Sequence, residues 1–356
     1  MNVGKSIEGL SLSFTAGVLM GGAFAGIPGP VASVALLLAA LPALFRARLV
    51  KMPDRFSVPV VLSAFLLLGV FSASLPQVSV PLLPDVWARE AAERLKGIIG
   101  SIPFPSEGTA PLLTALLTGD RTGLSGETVR VFRESGASHI LALSGLHLGI
   151  IYVLFDRLTR LAGKTPPARV LRFSAIVSAA GFFTLMTGAS ASLVRAFLFI
   201  AINEVLRLTG RPRKATRVLC LALLVQLVLD PSAIRSLGFQ LSYLAMAGIF
   251  LLYPVLEAWY PEAPAWDPFR RIWKGAALSI SCQLFTAPLV WLRFHTFPRH
   301  FLLTNLLALP LTTTLITCAV LTVALSAAGA CPVLLIQTTD VLCRLLQRTL
   351  EIIAGM

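Results

Sequence analysis

Two histidines, His139 and His147, stand within the segment Gly136 to Ile151, GASHILALSGLHLGII, with a Ser144-Gly145 pair between them. A hydroxyl three positions before an imidazole supplies the residue types of a nucleophile and its base, so an intramembrane hydrolase built on Ser144 and His147 is one chemistry this segment allows. No third, orienting carboxylate stands near them. The surrounding residues are apolar enough to cross a bilayer, and an imidazole placed in hydrocarbon loses its hydration unless it finds a partner or faces water. Polar groups in such a run therefore mark a channel or an intramembrane enzyme. In an unbroken helix the two rings project about 80° apart and share one side. Gly136, Gly145 and Gly149 weaken that regularity, and a broken helix survives in a membrane only where neighbours or water satisfy the released backbone. Both histidines used as hydrogen-bonding glue between helices is the plainer alternative.

The elements that must position these groups are spanning helices. With 56% hydrophobic residues, 13% charged and a mean hydropathy of +0.81, the chain lies far from the soluble range of about a quarter charged. Apolar windows fall near Gly9 to Ile27, Pro30 to Phe45, Phe56 to Pro76, Ile140 to Leu158, Val170 to Gly188, Leu193 to Leu208, Val218 to Leu229, Leu237 to Tyr253, Ile272 to Leu292 and Phe301 to Ala328, with a more ambiguous segment from Leu334 to Ile352. The expected fold is an all-α polytopic membrane protein, a bundle of about ten to eleven transmembrane helices with added interfacial amphipathic helices. Lys and Arg cluster in four short loops: Arg46, Arg48, Lys51 and Arg55; Arg157, Arg160, Lys164, Arg169 and Arg172; Arg207, Arg211, Arg213, Lys214 and Arg217; Arg270, Arg271 and Lys274. One alternating assignment puts all four on the same side. By the positive-inside rule that side is the cytoplasm, with the N-terminus and Lys5 inside and Gln77 to Ser138 outside. The net charge of +13 is thus first a topology signal and only second a hint of polyanion binding.

Three regions follow: an N-terminal three-helix membrane segment over 1–76, extracytoplasmic interfacial or re-entrant helices over 77–138, and a transmembrane channel domain over 139–356. In the middle region Trp87, Ala91, Leu95 and Ile98 recur at helical spacing opposite Asp85, Arg89, Glu93 and Lys96, predicting a helix in the membrane interface. A break at Ile102 to Pro105 precedes a short amphipathic helix closed by Gly119, and Ser125 is placed to cap a helix reaching Glu134. In the last segment Gln337, Asp340, Arg344, Gln347 and Glu351 form a polar stripe, with Asp340 and Arg344 spaced to pair. Such a stripe faces a lumen, another helix or the interface, not lipid. The five cysteines, Cys220, Cys282, Cys318, Cys331 and Cys343, sit singly in apolar runs, as small hydrophobes rather than a disulfide framework or zinc site. The first apolar segment reads as a retained span rather than a signal peptide.

Further constellations carry a resemblance. GASASLVRAF (Gly188 to Phe197) sets Arg195 near the outer end of a span; DPSAIRSLGFQLSYLAMAGI (Asp230 to Ile249) opens on a turn and places Gln240 and Ser242 in a helix; QLFTAPLVWL (Gln283 to Leu292) and NLLALPL (Asn305 to Leu311) carry proline kinks at Pro288 and Pro310. Together with LLTGDRTGL and GASHILALSGLHLG, in that order over roughly Leu112 to Leu311, these motifs resemble the membrane competence domain of the ComEC competence-protein family. The resemblance implies an inner-membrane channel that carries single-stranded DNA into the cytoplasm during natural transformation. It points to His139, Ser144, Gly145, His147, Arg195, Asp230, Pro231, Gln240, Ser242 and Asn305 without assigning their individual roles.

Full-length relatives also carry an oligonucleotide-binding-fold-like domain and a metallo-β-lactamase-like domain. Only about ten residues separate Pro76 from the interfacial helix, too few for a five-stranded barrel. His139, His147, His295 and His300 include no HxHxDH cluster for a hydrolytic metal pair. The expectation is therefore a chain that lacks both domains, degrades no DNA, is not an enzyme and needs no metal or cofactor. It would depend on a separate extracytoplasmic DNA receptor, nuclease and cytoplasmic ATPase. A strand bears a charge at every nucleotide, so a conducting lumen is wet and cationic at its mouth. Arg121, Arg130, Arg133 and Arg195 are the outer DNA-contact candidates, and the basic clusters an exit field. The competing classes are the Ser144/His147 hydrolase and a small-solute permease. Against the permease, no inverted repeat with paired broken helices is visible.

Overall fold

The computed structural model describes residues 7–23, 54–74, 85–163, 165–261, 267–295 and 299–356. Among them the chain is helical with no strand, an all-α membrane protein as expected. Among the described residues four helices are long and apolar enough to cross a membrane: Pro166–Met186, Leu237–Ala258, Pro268–Phe294 and Phe301–Ala327. Shorter apolar helices cover Ile7–Gly21, Val58–Ala73, Thr109–Thr118 and Ala215–Leu229. The window at Pro30 to Phe45 lies outside the described residues, as do Lys5, Arg46, Arg48, Lys51 and Lys164. Two compact units emerge, one of Met1–Pro81 with Phe197–Gln240, the other of Leu82–Ala196 with Leu241–Met356.

In the first unit α1 (Ile7–Ala23) packs along α2 (Asp54–Ser74). Gly17 and Gly21 lie four apart on α1; Gly17 meets Gly69 of α2, and Gly21 meets Val70 and Ala73. A Cβ at Gly17 would strike the Leu66 carbonyl, and one at Gly69 would stand 2.8 Å from the Val18 amide nitrogen. In lipid, where apolar surface gains nothing from leaving water, small residues bring backbones into van der Waals contact and so supply the attraction. Ser13 Oγ donates to the Leu62 carbonyl at 2.6 Å, and Ser11 Oγ to that of Cys220 at 2.8 Å on the helix Ala215–Leu229. Glu204, 2% exposed, pairs with Arg207 at 3.3 Å.

The second unit begins with α3 (Asp85–Ser101), α4 (Thr109–Thr118), α5 (Gly126–Glu134) and α6 (Ser138–Leu141). Gly119 closes α4 in the left-handed conformation (φ 81°), and Ser125 caps α5 by accepting from the Thr128 N–H, both as the sequence predicts. The inward stripe of α3 runs through Ala88 and Ile99 instead of Trp87, which is 62% exposed. The reason is angular: eleven residues return to the same face of a helix, and twelve land about 120° away. The short helix α4 is buried on every side, not amphipathic, with Leu112, Leu113, Leu116 and Leu117 in one apolar core with Phe132, Ile140, Leu315, Ile316, Leu346 and Leu350. The helices after the break therefore form the centre of this unit together with the last two long helices of the chain, and do not simply line its surface.

Of the polar stripe on the last helix, Val333–Ala354, only Asp340 is buried against other elements; Gln337, Arg344 and Glu351 are exposed and Gln347 is half-buried. Asp340 is fully buried and accepts from the Ser106 N–H (3.1 Å), Ser106 Oγ (3.0 Å), Thr109 Oγ1 (2.6 Å) and Arg344 Nε (3.0 Å). Gly108 gives α4 no side-chain cap; the Asp340 carboxylate from the far end of the chain binds the Thr109 hydroxyl of its first turn and the Ser106 N–H and hydroxyl just before it, and complements its dipole.

Candidate functional site

The histidine segment is not one helix. α6 stops at Leu141, the extended residues Ala142 (ψ 127°) and Ser144 (φ −131°, ψ 172°) follow, and α7 (Gly145–Arg160) begins afresh. The two histidines therefore part company. His139 is exposed, its Nδ1 3.2 Å from the Gly136 carbonyl, while His147 is 1% exposed. Ser144 and His147 form a capping box: Ser144 Oγ accepts the Leu146 N–H at 3.3 Å, and His147 Nδ1 accepts the Ser144 N–H at 3.3 Å. Because Nδ1 is an acceptor, the ring proton belongs on Nε2, and Nε2 is buried with no partner.

Beside this helix start lies Arg195, from the first turn of the helix Ala191–Leu208. Arg195 is 8% exposed, its Nε is buried without a partner, and its Cζ lies 6.0 Å from the centroid of the Tyr243 ring. Gly145 lies against it: a Cβ there would stand 3.5 Å from Arg195 Nη2 and from the Ala196 Cβ, ordinary van der Waals contact. Ser192 and Ser242 hydroxyls, 3.2 Å apart, hold the same two segments together one step away. Among the described residues no carboxylate pairs with Arg195. A desolvated cation left alone costs several kcal/mol, so the cluster is poised for an anion.

On Phe301–Ala327, which packs against α7, Asn305 Oδ1 and Thr312 Oγ1 are also buried without partners. Thr304 Oγ1 donates to the Ser135 carbonyl at 2.5 Å, tying this helix to the turn before His139. In the first unit Asp230, Pro231 and Gln240 build a turn. Asp230 accepts from the Ser232 N–H (3.0 Å) and Oγ (2.5 Å), Pro231 opens a short 3₁₀ helix, and Gln240 Nε2 donates to the Ile234 carbonyl at 2.7 Å. These three serve local architecture. Of the other arginines, Arg121 gives Nη2 to the Leu141 carbonyl at 3.0 Å, while Arg130 and Arg133 are exposed on α5. A cavity of about 90 Å³ lies between α5 and the last helix, lined by Ser125, Thr128, Gln347 and Glu351 among others; a pocket for a nucleotide-sized ligand starts near ~300 Å³.

The family model described as "Competence protein" matches residues 116–356. The chain belongs to that family. Among curated relatives, the uncharacterized protein YcaI of Escherichia coli is 27% identical over 218 residues, 59% of this chain and 28% of that protein. ComE operon protein 3 of Bacillus subtilis is 27% identical over 209 residues, 58% of this chain and 25% of the relative, and competence protein ComA of Neisseria gonorrhoeae 29% over 174 residues, 48% and 25%. The chain spans about a quarter of the length of these relatives. No solved structure matches it. The competence-family match covers Ser144, His147, Arg195 and Asn305 as well as two groups that sequence reasoning passed over, Tyr243 and Ser192. Both stand inside motifs quoted above, one beside Ser242 and one three residues before Arg195, and a buried arginine's need for a neighbour was the signal that pointed to them.

The arrangement is rich in donors and lacks an acid. Ser144 Oγ lies 3.2 Å from His147 Nδ1, yet that nitrogen already holds the Ser144 amide, Oγ already accepts from Leu146, and Nε2 meets no carboxylate. The serine is a helix cap, and the cluster suits binding of negative charge better than acyl transfer.

Proposed function

We propose that this competence-family protein forms a conduit in the bacterial inner membrane through which a single DNA strand reaches the cytoplasm. The observation that carries the reading is the coincidence of the family match with a buried arginine and a buried imidazole, each with one guanidinium or ring nitrogen (Nε and Nε2) that has no hydrogen-bond partner, inside the matched region. A polyanion crossing hydrocarbon needs compensating donors that are dry when empty and accessible when loaded, and scattered helix glue would leave none unpaired. The names of ComE operon protein 3 and competence protein ComA support the same assignment. In this reading residues 77–138 lie outside, the N-terminus lies inside, and 139–356 holds the passage. Arg130 and Arg133 meet the strand at the mouth, and the cytoplasmic arginine clusters receive it. An extracytoplasmic DNA receptor, a nuclease and a cytoplasmic ATPase act with it in this reading.

A deletion strain supplied with labelled duplex DNA tests this. Transformation and the appearance of labelled single strands in the cytoplasm should fall by at least an order of magnitude and return on complementation. Unchanged uptake in the deletion strain refutes the assignment.

A further inference from the structure

We propose that the N-terminus of α7, the His147 imidazole and the Arg195 guanidinium form one oxyanion site, which takes a single phosphodiester group of the strand. The proposal rests on the conduit reading and adds the place and chemistry of the contact. α7 is 16 residues long, so its first turn presents N–H groups and the positive end of a full helix dipole. The capping box uses the N–H of Leu146 and leaves that of Gly145. The second, independent observation is Arg195 itself: more than nine-tenths buried, unpartnered at Nε, and aimed at Gly145 with Nη2 at the distance an ordinary side chain would contact. His147 adds a third donor, its Nε2–H, fully buried and unused.

The unused polar groups of this cluster are donors. A cation ligand finds no acceptor there, and a neutral solute leaves the guanidinium uncompensated, whereas a tetrahedral oxyanion accepts from the planar fork of arginine and from a helix start at once. Tyr243 supports the guanidinium from the face of its ring, which leaves the N–H edge for the ligand. The cluster engages one phosphate at a time, and a strand that must move on gains from a contact that is weak enough to release.

The test uses the full chain in zwitterionic nanodiscs and a fluorescent oligothymidylate. Dissociation constants are measured across a salt series for wild type, Arg195→Gln, Arg195→Lys and His147→Gln. The last variant keeps a Ser-x-x-Gln capping box and serves as the folding-neutral partner. Arg195→Gln should weaken binding about tenfold and flatten the slope of log K against log salt by about 0.7, the value for one phosphate on a single strand. Arg195→Lys should keep the slope while losing a few-fold in affinity, and His147→Gln should lose a few-fold. A methylphosphonate strand should bind wild type and Arg195→Gln equally. Inorganic phosphate should raise the melting temperature of wild type and not that of Arg195→Gln.

Wild-type affinity and slope in both Arg195→Gln and His147→Gln overturn the site. So does a loss of oligonucleotide binding on moving to phosphatidylglycerol nanodiscs that is seen only when Arg195 is present, because the anion is then a lipid headgroup. If wild type binds the strand and the variants do not differ from it, the site alone fails. If wild type binds no strand and its deletion leaves transformation intact, the conduit reading fails.

Discussion

Single side chains decide more here than composition suggests. Asp340 is a buried anion held by four donors, one of which, Thr109 Oγ1, opens α4, and the charge of Arg344 stands beside it. Replacing Asp340 by Ala strands those donors in a dry site and should cost about 2–3 kcal/mol, read as a lower melting temperature of the purified protein. The outer pair Lys96 and Asp120 behaves differently, because both side chains keep contact with water. Their atoms approach to 2.6 Å, with Glu93 at 2.8 Å from the same ammonium. Lys96, and after it Thr122, holds the Asp120 carboxyl well below the usual carboxylate range, while Asp120 and then Glu93 raise the lysine above its ordinary value. A depressed carboxyl contributes stability that is complete above about pH 4 and is lost as pH falls through the lowered value; the raised ammonium contributes below about pH 10 and is lost on climbing through it. Lys96→Met should therefore lower stability by about 1 kcal/mol at neutral pH, with the gap to wild type narrowing in acid and in high salt. Thermal melts across pH 2–8 check this.

At the scale of elements, glycine separates packing from propensity. Gly17 and Gly69 sit where two helix backbones touch, so Gly17→Ala must push α1 off α2. Gly97 lies inside α3 with nothing near the position of a Cβ, and Gly97→Ala should stabilise by about 0.5–1 kcal/mol. Opposite signs in melting temperature are expected, and a loss in both would mean that the face of α3 at Gly97 is occupied. Pro288 and Pro310 stand inside the continuous helices Pro268–Phe294 and Phe301–Ala327, where the hydrogen bond that a proline removes is a local loss within a long helix.

At the scale of the molecule, the charge pattern carries a topology. Arg157 and Arg160 end α7, Arg169 and Arg172 open the next helix, and buried Asp156 pairs with both Arg160 and Arg172. This turn is thus one basic unit, and under the proposed orientation it faces the cytoplasm. Leu161, 84% exposed at the end of α7, is a place where a new thiol would disturb little. In an otherwise cysteine-free chain, Leu161→Cys should stay unlabelled by an impermeant maleimide in intact cells and react after lysis. Gly123→Cys, on the opposite side, should react in intact cells. Labelling of the Leu161→Cys variant from outside would invert the whole assignment.

The sequence determined by itself the class of the fold, the caps at Gly119 and Ser125, and the family, since each depends on residue type, period or local order. The pairing of Asp340 with Arg344 was legible for the same reason, one turn of helix. What the tertiary structure alone decided is which distant groups meet. Helical periodicity could not reveal that Ser144 restarts the helix and sends His139 and His147 apart, that Asp340 meets the start of a helix begun more than two hundred residues earlier, or that Arg195 settles between Gly145 and Tyr243. The first turns on a local capping box set against an apolar run, and the other two depend on how separate helices pack, which no spacing along one helix encodes.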